Sequence, residues 1–505
     1  MAHQIKKLTV LIHLATIIIL GFAVYGNSLT GQFIYDDMIL VKENQIITQP
    51  AYLPDIFSQD IGSGYGYRYN FYRPMQVLTY MIDYALWRLN PVGYHFTNIL
   101  LHLLAATAVY WLINLLFSNP LLSFLASVFF AVHPVNTEVV SYISGRADPL
   151  SLLFMLLGIV FFLKGLISPK KIYYALMLLF YMLALLSKEQ SLIMPVLLLL
   201  CGFILTGKIR LRGLAGISGL TVVYIWLRMT VLKFAPTGSL PVTTLWQRMP
   251  GFFVAVREYL RLLFLPFDLH MEYGYKLFHF YEPKAIFGAL VLLALLSYAF
   301  IKLKSNRLIF LSLAWFLLAL LPVSNLFPLN AYMAEHWLYV PSMGFFIILA
   351  NGLLVLYNQK GFKPVSVALI IGVLFFYSIL TVKQNNYWQE PVTFYKRSIK
   401  FAPLNLRLYG NLGRIYREAG SYEEAAATYK KALEINPKYA KAYNGLGLVY
   451  SRQNKIKEAI ELYKKAVEIN PQYSDAYYNL ANAYLAIGER GKASAAYKKA
   501  IEVGR

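Results

Sequence analysis

The sequence predicts an all-α protein in two parts, a polytopic membrane bundle followed by a C-terminal helical solenoid. Three observations predict it. Mean hydropathy is +0.51, with 58% apolar and only 14% charged residues. Apolar stretches long enough to cross a hydrocarbon core follow one another along most of the chain. Where they end, a period of 34 residues begins.

Apolar runs fall near 8–27, 97–117, 121–134, 148–167, 172–187, 190–206, 212–232, 284–303, 307–326, 337–357 and 364–382, about eleven crossings. The first is too long for a secretory signal and lacks a small-residue cleavage site, so it reads as a retained span. An odd count puts the termini on opposite sides. Lys and Arg accumulate in cytoplasmic turns. With the N-terminus inside, those turns hold Lys6 and Lys7, Lys170 and Lys171, Lys208, Arg210 and Arg212, Lys302, Lys304 and Arg307, and Lys360 and Lys363. None of the 25 acidic residues falls there, which puts the polar chemistry on the outer side. The net charge of +22, which would suggest nucleic acid in a soluble chain, is mostly this orientation signal together with a basic tail. Cys201 is the single cysteine, so no disulfide forms within the chain.

Two outer segments are long, Ser28 to Phe96 and Lys233 to Pro283. Each mixes aromatics with charge, as an interfacial surface does, and Met75 to Leu89 reads as a helix in that interface. After Lys383 the repeat begins: Tyr409, Tyr443 and Tyr477 recur in phase, as do Leu412, Leu446 and Leu480, and Ala425, Ala459 and Ala493. The period and pattern resemble tetratricopeptide (TPR) repeats, pairs of helices brought close by Gly413, Gly447 and Ala481. Half a unit, with Tyr395 and Pro403, precedes three full ones. The chain therefore divides into a membrane domain, 1–385, and a repeat domain, 386–505, with no flexible linker and with the array held near the outer face.

Ionisable groups cluster at the outer ends of spans, where charges cost a few kcal/mol each and imply function. They occur in the strings Gln32-Phe-Ile-Tyr-Asp36-Asp37, Arg73-Pro74, His133-Pro134-Val-Asn-Thr-Glu138 running on to Gly145-Arg146-Ala-Asp148, Ser187-Lys188-Glu189, and Glu335-His336-Trp-Leu-Tyr339. In this order, and followed by TPR repeats, these strings resemble the transmembrane and TPR-containing O-mannosyltransferases over most of the chain. The resemblance implies a GT-C glycosyltransferase fold with an acidic pair in the first outer loop, Asp36 and Asp37, as the catalytic site. It also implies a polyprenyl-phosphate sugar as donor. Few repeats and the lack of an Asn-x-Ser/Thr sequon point to a bacterial member, in the inner membrane with a periplasmic tail; a eukaryotic one would lie in the endoplasmic reticulum.

A polyprenyl phosphate sugar expels a phosphate that is already anionic, so one carboxylate base can suffice and the anomeric centre should invert. Neighbouring residues of an extended loop point to opposite faces. Asp36 is therefore assigned as base and Asp37 as a positioning group, with the exchange of roles left open. Arg146, then Lys188, are expected to bind the donor phosphate, assisted by His133 and His336, with Arg73 and Arg257 as further candidates. The competing reading of Arg146 is an ion pair with Asp148 or Glu138. Glu138, Asp148, Glu189, Glu335 and His102 are expected in support. No cofactor is required; His95, Asn98 and His102 at helical spacing leave a divalent metal open, although no metal ligands are assigned. In the repeats, Arg407, Arg414, Lys441, Asn444 and Tyr478 are expected on the concave face, with Arg417, Arg452 and Asn482, as a groove for an exported protein acceptor. Ligation or polymerisation of lipid-linked oligosaccharide, and a non-catalytic assembly scaffold, are the alternatives.

Overall fold

The computed structural model describes residues 2–66, 69–209, 211, 213–234 and 243–504. Arg68, Arg210, Arg212 and the side chain of Lys6 lie outside the described residues. The described residues contain no strand, and the chain divides into two compact units, Met1–Gln389 and Glu390–Arg505.

The first unit runs through α1 (Ala2–Tyr25), α2 (Leu53–Ser58), α3 (Pro74–Trp87), α4 (Pro91–Phe117), α5 (Pro120–Val132), α6 (Thr137–Ser141), α7 (Ala147–Ile167), α8 (Lys171–Leu185), α9 (Met194–Thr206), α10 (Leu214–Met229), α11 (Leu245–Phe264), α12 (Pro283–Ser305), α13 (Arg307–Leu320), α14 (Ser342–Asn358) and α15 (Lys363–Asn385). Local sequence sets many of the starts. Prolines 91 and 120 occupy first-turn positions that need no N–H donor, and Asn90 and Asn119 before them accept from the backbone N–H of Val92 and Leu122. Asn306 caps α13 in the same way. Pro134 breaks the apolar run after α5, and the helices on either side meet at 52°.

Each of the eleven predicted segments carries a helix, but their lengths differ. Among the described residues six helices are long and apolar enough to cross a membrane, or seven if the bent pair Pro120–Val132 and Pro134–Ser141 is one span. Four more are apolar but shorter: Lys171–Leu185, Leu214–Met229, Arg307–Val323 and Ser342–Asn358. This is a multi-pass membrane protein. A helix stands where one was expected at 75–89, α3. The second long segment, expected as an interfacial surface more than a spanning helix, contains the 20-residue α11. A Thr244–Gln247 capping box starts it, and it carries Pro250 inside and charges along its length. Its buried Arg248 donates to the carbonyls of Asn325 and Leu326, both at 3.0 Å, and so holds the 325–326 backbone.

The first loop is tied at its root. Asn385, at the end of α15, donates to Val24 O at 2.9 Å and to Asn27 Oδ1 at 2.8 Å, and accepts from the Ser141 hydroxyl at 2.8 Å. Three segments, α1, α6 and α15, thus converge where the loop carrying Asp36 leaves the bundle.

The second unit opens with α16 (Pro391–Phe401) and continues as three helix pairs: α17 (Leu406–Glu418) with α18 (Tyr422–Ile435), α19 (Ala440–Arg452) with α20 (Ile456–Ile469), and α21 (Ser474–Ala486) with α22 (Arg490–Val503). The recurrent tyrosines fill the space that glycines leave. Tyr429 packs against Gly413 of its own repeat and Gly445 of the next, and Tyr463 packs against Gly447.

Candidate active site

Tyr35 adopts a left-handed conformation (φ +52°), uncommon for a bulky side chain, and its hydroxyl donates to Glu272 at 3.1 Å. The sharp turn sends the next two carboxylates in different directions. Asp37 is fully buried: Oδ2 accepts from the Ile34 N–H at 3.1 Å, and Oδ1 accepts from the Ser144 N–H at 2.8 Å and the Ser144 hydroxyl at 2.5 Å. Asp36 is half-buried and lines a cavity of about 690 Å³. Its backbone N–H donates to the Tyr142 hydroxyl at 3.1 Å. Burial, then the negative charge of Glu272, push the Asp36 carboxyl up to about 7, against a lowering hydrogen bond from Tyr142. Asp37 is likewise pushed up by burial to about 7, although its Ser144 and Ile34 partners oppose the rise.

The same cavity gathers many of the residues that the strings singled out. Arg73 pairs with Glu189 at 3.3 Å and lies over the Phe71 ring. Lys188 pairs with Asp148 at 2.6 Å, with both side chains almost out of solvent. Burial pulls the Lys188 ammonium below its ordinary value while Asp148 opposes the shift. Glu138 holds His336 twice, accepting from its backbone N–H at 3.1 Å and lying 2.7 Å from Nδ1. This fixes the ring with its Nε2 edge free of any protein partner among the described residues.

Other predicted residues stand elsewhere. Arg146, the first expectation for the phosphate, is fully buried outside the cavity lining and pairs at 2.6 Å with Asp83 rather than with Asp148 or Glu138. It also donates to Asn98 Oδ1 at 2.7 Å and to Tyr94 O at 2.9 Å, and so locks α3, α4 and α7 together. His133 is buried at the α5–α6 break, close to Leu263 O and accepting from Val135 N–H. His102 contacts the Tyr339 hydroxyl at 2.8 Å and Ala131 O at 3.0 Å. Glu335 is buried and accepts from His270 N–H and the Tyr273 hydroxyl. Arg257 bonds to Glu258 on α11 and does not line the cavity. His95, His102 and Asn98 do not converge: among the described residues no group of three or more His, Cys, Asp or Glu is arranged to hold a metal ion.

Glu272, Asp83 and Arg228 carry no role in the sequence reading. Arg228, at the end of α10, lines the cavity and donates to Asn70 O at 2.8 Å. The proximity of a charged residue to the end of an apolar helix was the available signal, and it also fits an ordinary orientation charge.

In the second unit, Arg407, Arg414, Lys441, Asn444 and Tyr478 do share one groove, of about 400 Å³, together with Arg417, Asp475 and Asn479. Asn479 donates to Asn444 Oδ1 at 2.9 Å across successive repeats. Arg452 faces a separate hollow beside Glu418 and Tyr422, and Asn482 accepts from the Tyr497 hydroxyl; neither belongs to the groove.

Comparison with known proteins agrees with both units. Residues 413–454 and 451–488 match the family described as TPR repeat, and 474–503 that described as tetratricopeptide repeat. The human Protein O-mannosyl-transferase TMTC3 is 26% identical over 468 residues, covering 83% of this chain and 50% of the relative. The Caenorhabditis elegans Protein O-mannosyl-transferase F38B6.6 is 28% identical over 442 residues, covering 83% and 61%. The human TMTC4 is 27% identical over 466 residues, covering 79% and 63%. The chain thus carries TPR repeats and is similar over about four-fifths of its length to proteins named O-mannosyl-transferases.

The chain spans about half to three-fifths of the length of these relatives. Among solved structures, a crystal structure of MamA aligns at a TM-score of 0.21 and 23% identity, covering 31% of this chain and 86% of that one. MamA from Desulfovibrio magneticus RS-1 aligns at 0.22 and 22% identity, covering 26% and 75%. At those scores the likeness carries nothing about the fold. What the cavity can do follows from its own groups. One carboxylate with a raised proton affinity faces a space rimmed by two cation–carboxylate pairs and the Glu138–His336 contact, an arrangement suited to taking a proton from a neutral hydroxyl beside an anionic group.

Proposed function

We propose that this protein transfers a hexose, mannose by analogy with the named relatives, from a polyprenyl-phosphate sugar to a Ser or Thr hydroxyl of an exported protein. The observation that carries the reading is Asp36: of the acidic pair, it alone lines the cavity, while Asp37 is consumed by Ser144 and Ile34. The acceptor hydroxyl gives its proton to the Asp36 carboxylate as its oxygen bonds to the anomeric carbon. The bond from that carbon to the phosphate oxygen breaks, and the polyprenyl phosphate leaves with the electron pair. Attack opposite the leaving phosphate inverts the anomeric centre. A carboxyl near 7 suits this work, because general base catalysis is most efficient when the base titrates near the working pH.

The same reading takes the six long helices, the bent pair and the four shorter apolar helices as eleven crossings of a GT-C fold. On this reading the cavity faces the extracytoplasmic side of a bacterial inner membrane, a sidedness supported by the Lys and Arg of alternate turns, which favour the cytoplasm. The repeats would offer the groove of Arg407, Arg414, Lys441, Asn444 and Tyr478 to an extended stretch of acceptor. No step is routed through a metal ion, and activity after exhaustive chelation tests that part.

The deciding experiment offers the purified protein polyprenyl phosphate carrying radiolabelled mannose, with an extract of exported proteins. Label held on protein and released as mannose by β-elimination, with the intact linkage shown by anomer-specific mannosidases to be opposite in configuration to the donor, supports the proposal. Label found only in lipid-linked oligosaccharide would replace it with the ligase or polymerase reading. Absence of any transfer, with function lost on deleting the repeats, would leave a scaffold.

A further inference from the structure

The lining carries four carboxylates, Asp36, Glu138, Asp148 and Glu189, against Arg73, Lys188, Arg228 and His336, and three pairs form among them. Glu189 is paired with Arg73, Asp148 with Lys188, and Glu138 with His336. Arg228 is the remaining cation of the lining, and among the described residues it forms no ion pair. Its partners are neutral: Asn70 O at 2.8 Å, Asn70 Oδ1 at 3.5 Å, and the carbonyl of Leu232. Asn70 sits in a left-handed conformation (φ +61°), and its side chain also accepts from the Phe234 N–H at 3.2 Å, so two segments brace the guanidinium. A guanidinium bonded only to neutral groups is stabilised further by an anionic ligand that reaches its free N–H groups. An Arg with some N–H groups anchored and others free can present a fork to phosphate oxygens.

The surroundings say what kind of anion arrives. Around Arg228, α10 and the following turn expose Val222, Val223, Trp226, Met229 and Val231, at 52–70% of their surface. Leu326 and Phe327, also of the lining, are 44% and 81% exposed. Exposed apolar residues in the lining and on the helix that carries this guanidinium fit an anion carried on a hydrocarbon chain better than a free ion. The geometry points to Arg228, braced by Asn70, as the seat of the phosphate of a lipid monophosphate. This deepens the proposed function, since it places the donor's anionic head there and not at Arg146.

The test measures binding and needs no sugar transfer. Purified full-length protein is titrated with fluorescent polyprenyl phosphate in detergent, for the natural sequence, Arg228→Gln and Arg228→Lys, with melting temperature as a fold control. Loss of a charge-assisted pair predicts affinity weakened by about tenfold or more in Arg228→Gln, and a smaller loss in Arg228→Lys, which keeps charge but not the fork. Arg146 is already paired, so it plays no part in the comparison. Equal affinity in all three proteins overturns the assignment and leaves the proposed function standing; absence of binding by the natural protein overturns that function as well. Inorganic phosphate competing as strongly as the lipid would make this a free-phosphate site and refute the lipid commitment. Should Arg228→Gln fail to fold, Arg228→Lys and Asn70→Gly decide alone, and unchanged affinity in both refutes the inference.

Discussion

Asp37 and Ser144, 107 residues apart, are joined by two hydrogen bonds to one carboxylate oxygen, from the Ser144 N–H at 2.8 Å and from its hydroxyl at 2.5 Å. The acidic pair is therefore divided in labour. Asp37 ties the first loop to the turn that precedes α7, and this leaves Asp36 to face the cavity. Asp36→Asn should lower transfer by at least about 100-fold with little change in melting temperature, because the isostere keeps an oxygen that can still accept from Tyr142 but cannot act as a base. Ser144→Ala should do the opposite: it removes one hydrogen bond, lowers stability by about 1 kcal/mol, and leaves activity reduced only modestly. Parallel measurement of unfolding and of sugar transfer separates the two; an Asp36→Asn protein with full activity would end the assignment of the base.

The pH profile follows from the raised carboxyls. Asp36 works deprotonated, so kcat/KM should rise with pH through about 7 and fall away below it. With Asp37 also near 7, the limb belongs to the coupled pair. The charge of Glu272 contributes to raising Asp36, so Glu272→Gln, which keeps an acceptor for the Tyr35 hydroxyl, should move the acid limb to lower pH. A limb near 4 in the natural protein, or one unmoved by Glu272→Gln, would contradict this electrostatic account.

Arg146 decides between a ligand role and a structural one. Its guanidinium is wholly buried against Asp83, so Arg146→Met would strand a buried carboxylate, at a cost of about 3–5 kcal/mol. The double change Arg146→Met with Asp83→Asn should recover much of that loss. Stability restored together with transfer would confirm a scaffold role; stability restored without transfer would return Arg146 to the donor site. A thermal melt and a transfer assay on the three proteins suffice.

The pattern of what the sequence disclosed has a physical basis. The TPR repeats were legible because each 34-residue unit buries the same positions, so Tyr429 and Tyr463 recur in phase with the glycines that receive them. The strings at 133–148, 187–189 and 335–339 were legible as charge in an apolar background, and the cavity gathers residues from all three. Pairings were not legible. Asp83 lies in α3, 63 residues before Arg146, and nothing local distinguishes it from a solvated charge on an interfacial helix. Helix α11 was hidden because Arg248, Arg257, Glu258 and Arg261 spoil its apolar run, although Arg248 is buried and bonded to the 325–326 backbone. Long-range contacts, not composition, determine the partner of each charge.

The repeat unit offers a prediction in which size alone is at stake. Gly413 lies against the Tyr429 ring so closely that an added methyl group would stand 2.7 Å from it, and at Gly447 the same atom would stand 2.6 Å from Tyr463. Both rings are themselves buried, so they cannot swing clear without disturbing the next repeat. Gly413→Ala and Gly447→Ala should therefore destabilise the array by about 1–3 kcal/mol through overpacking, despite the helix propensity that alanine adds. Gly491, in α22, has nothing within 4 Å of the added atom, and Gly491→Ala should be neutral or stabilising. Hydrogen exchange on the full-length proteins reads the outcome in peptides from α17–α20, with peptides from the first unit as internal reference. Equal protection in all three variants would mean that the tyrosines are not wedged between the helices, and that the small residues at these positions serve some purpose other than close approach.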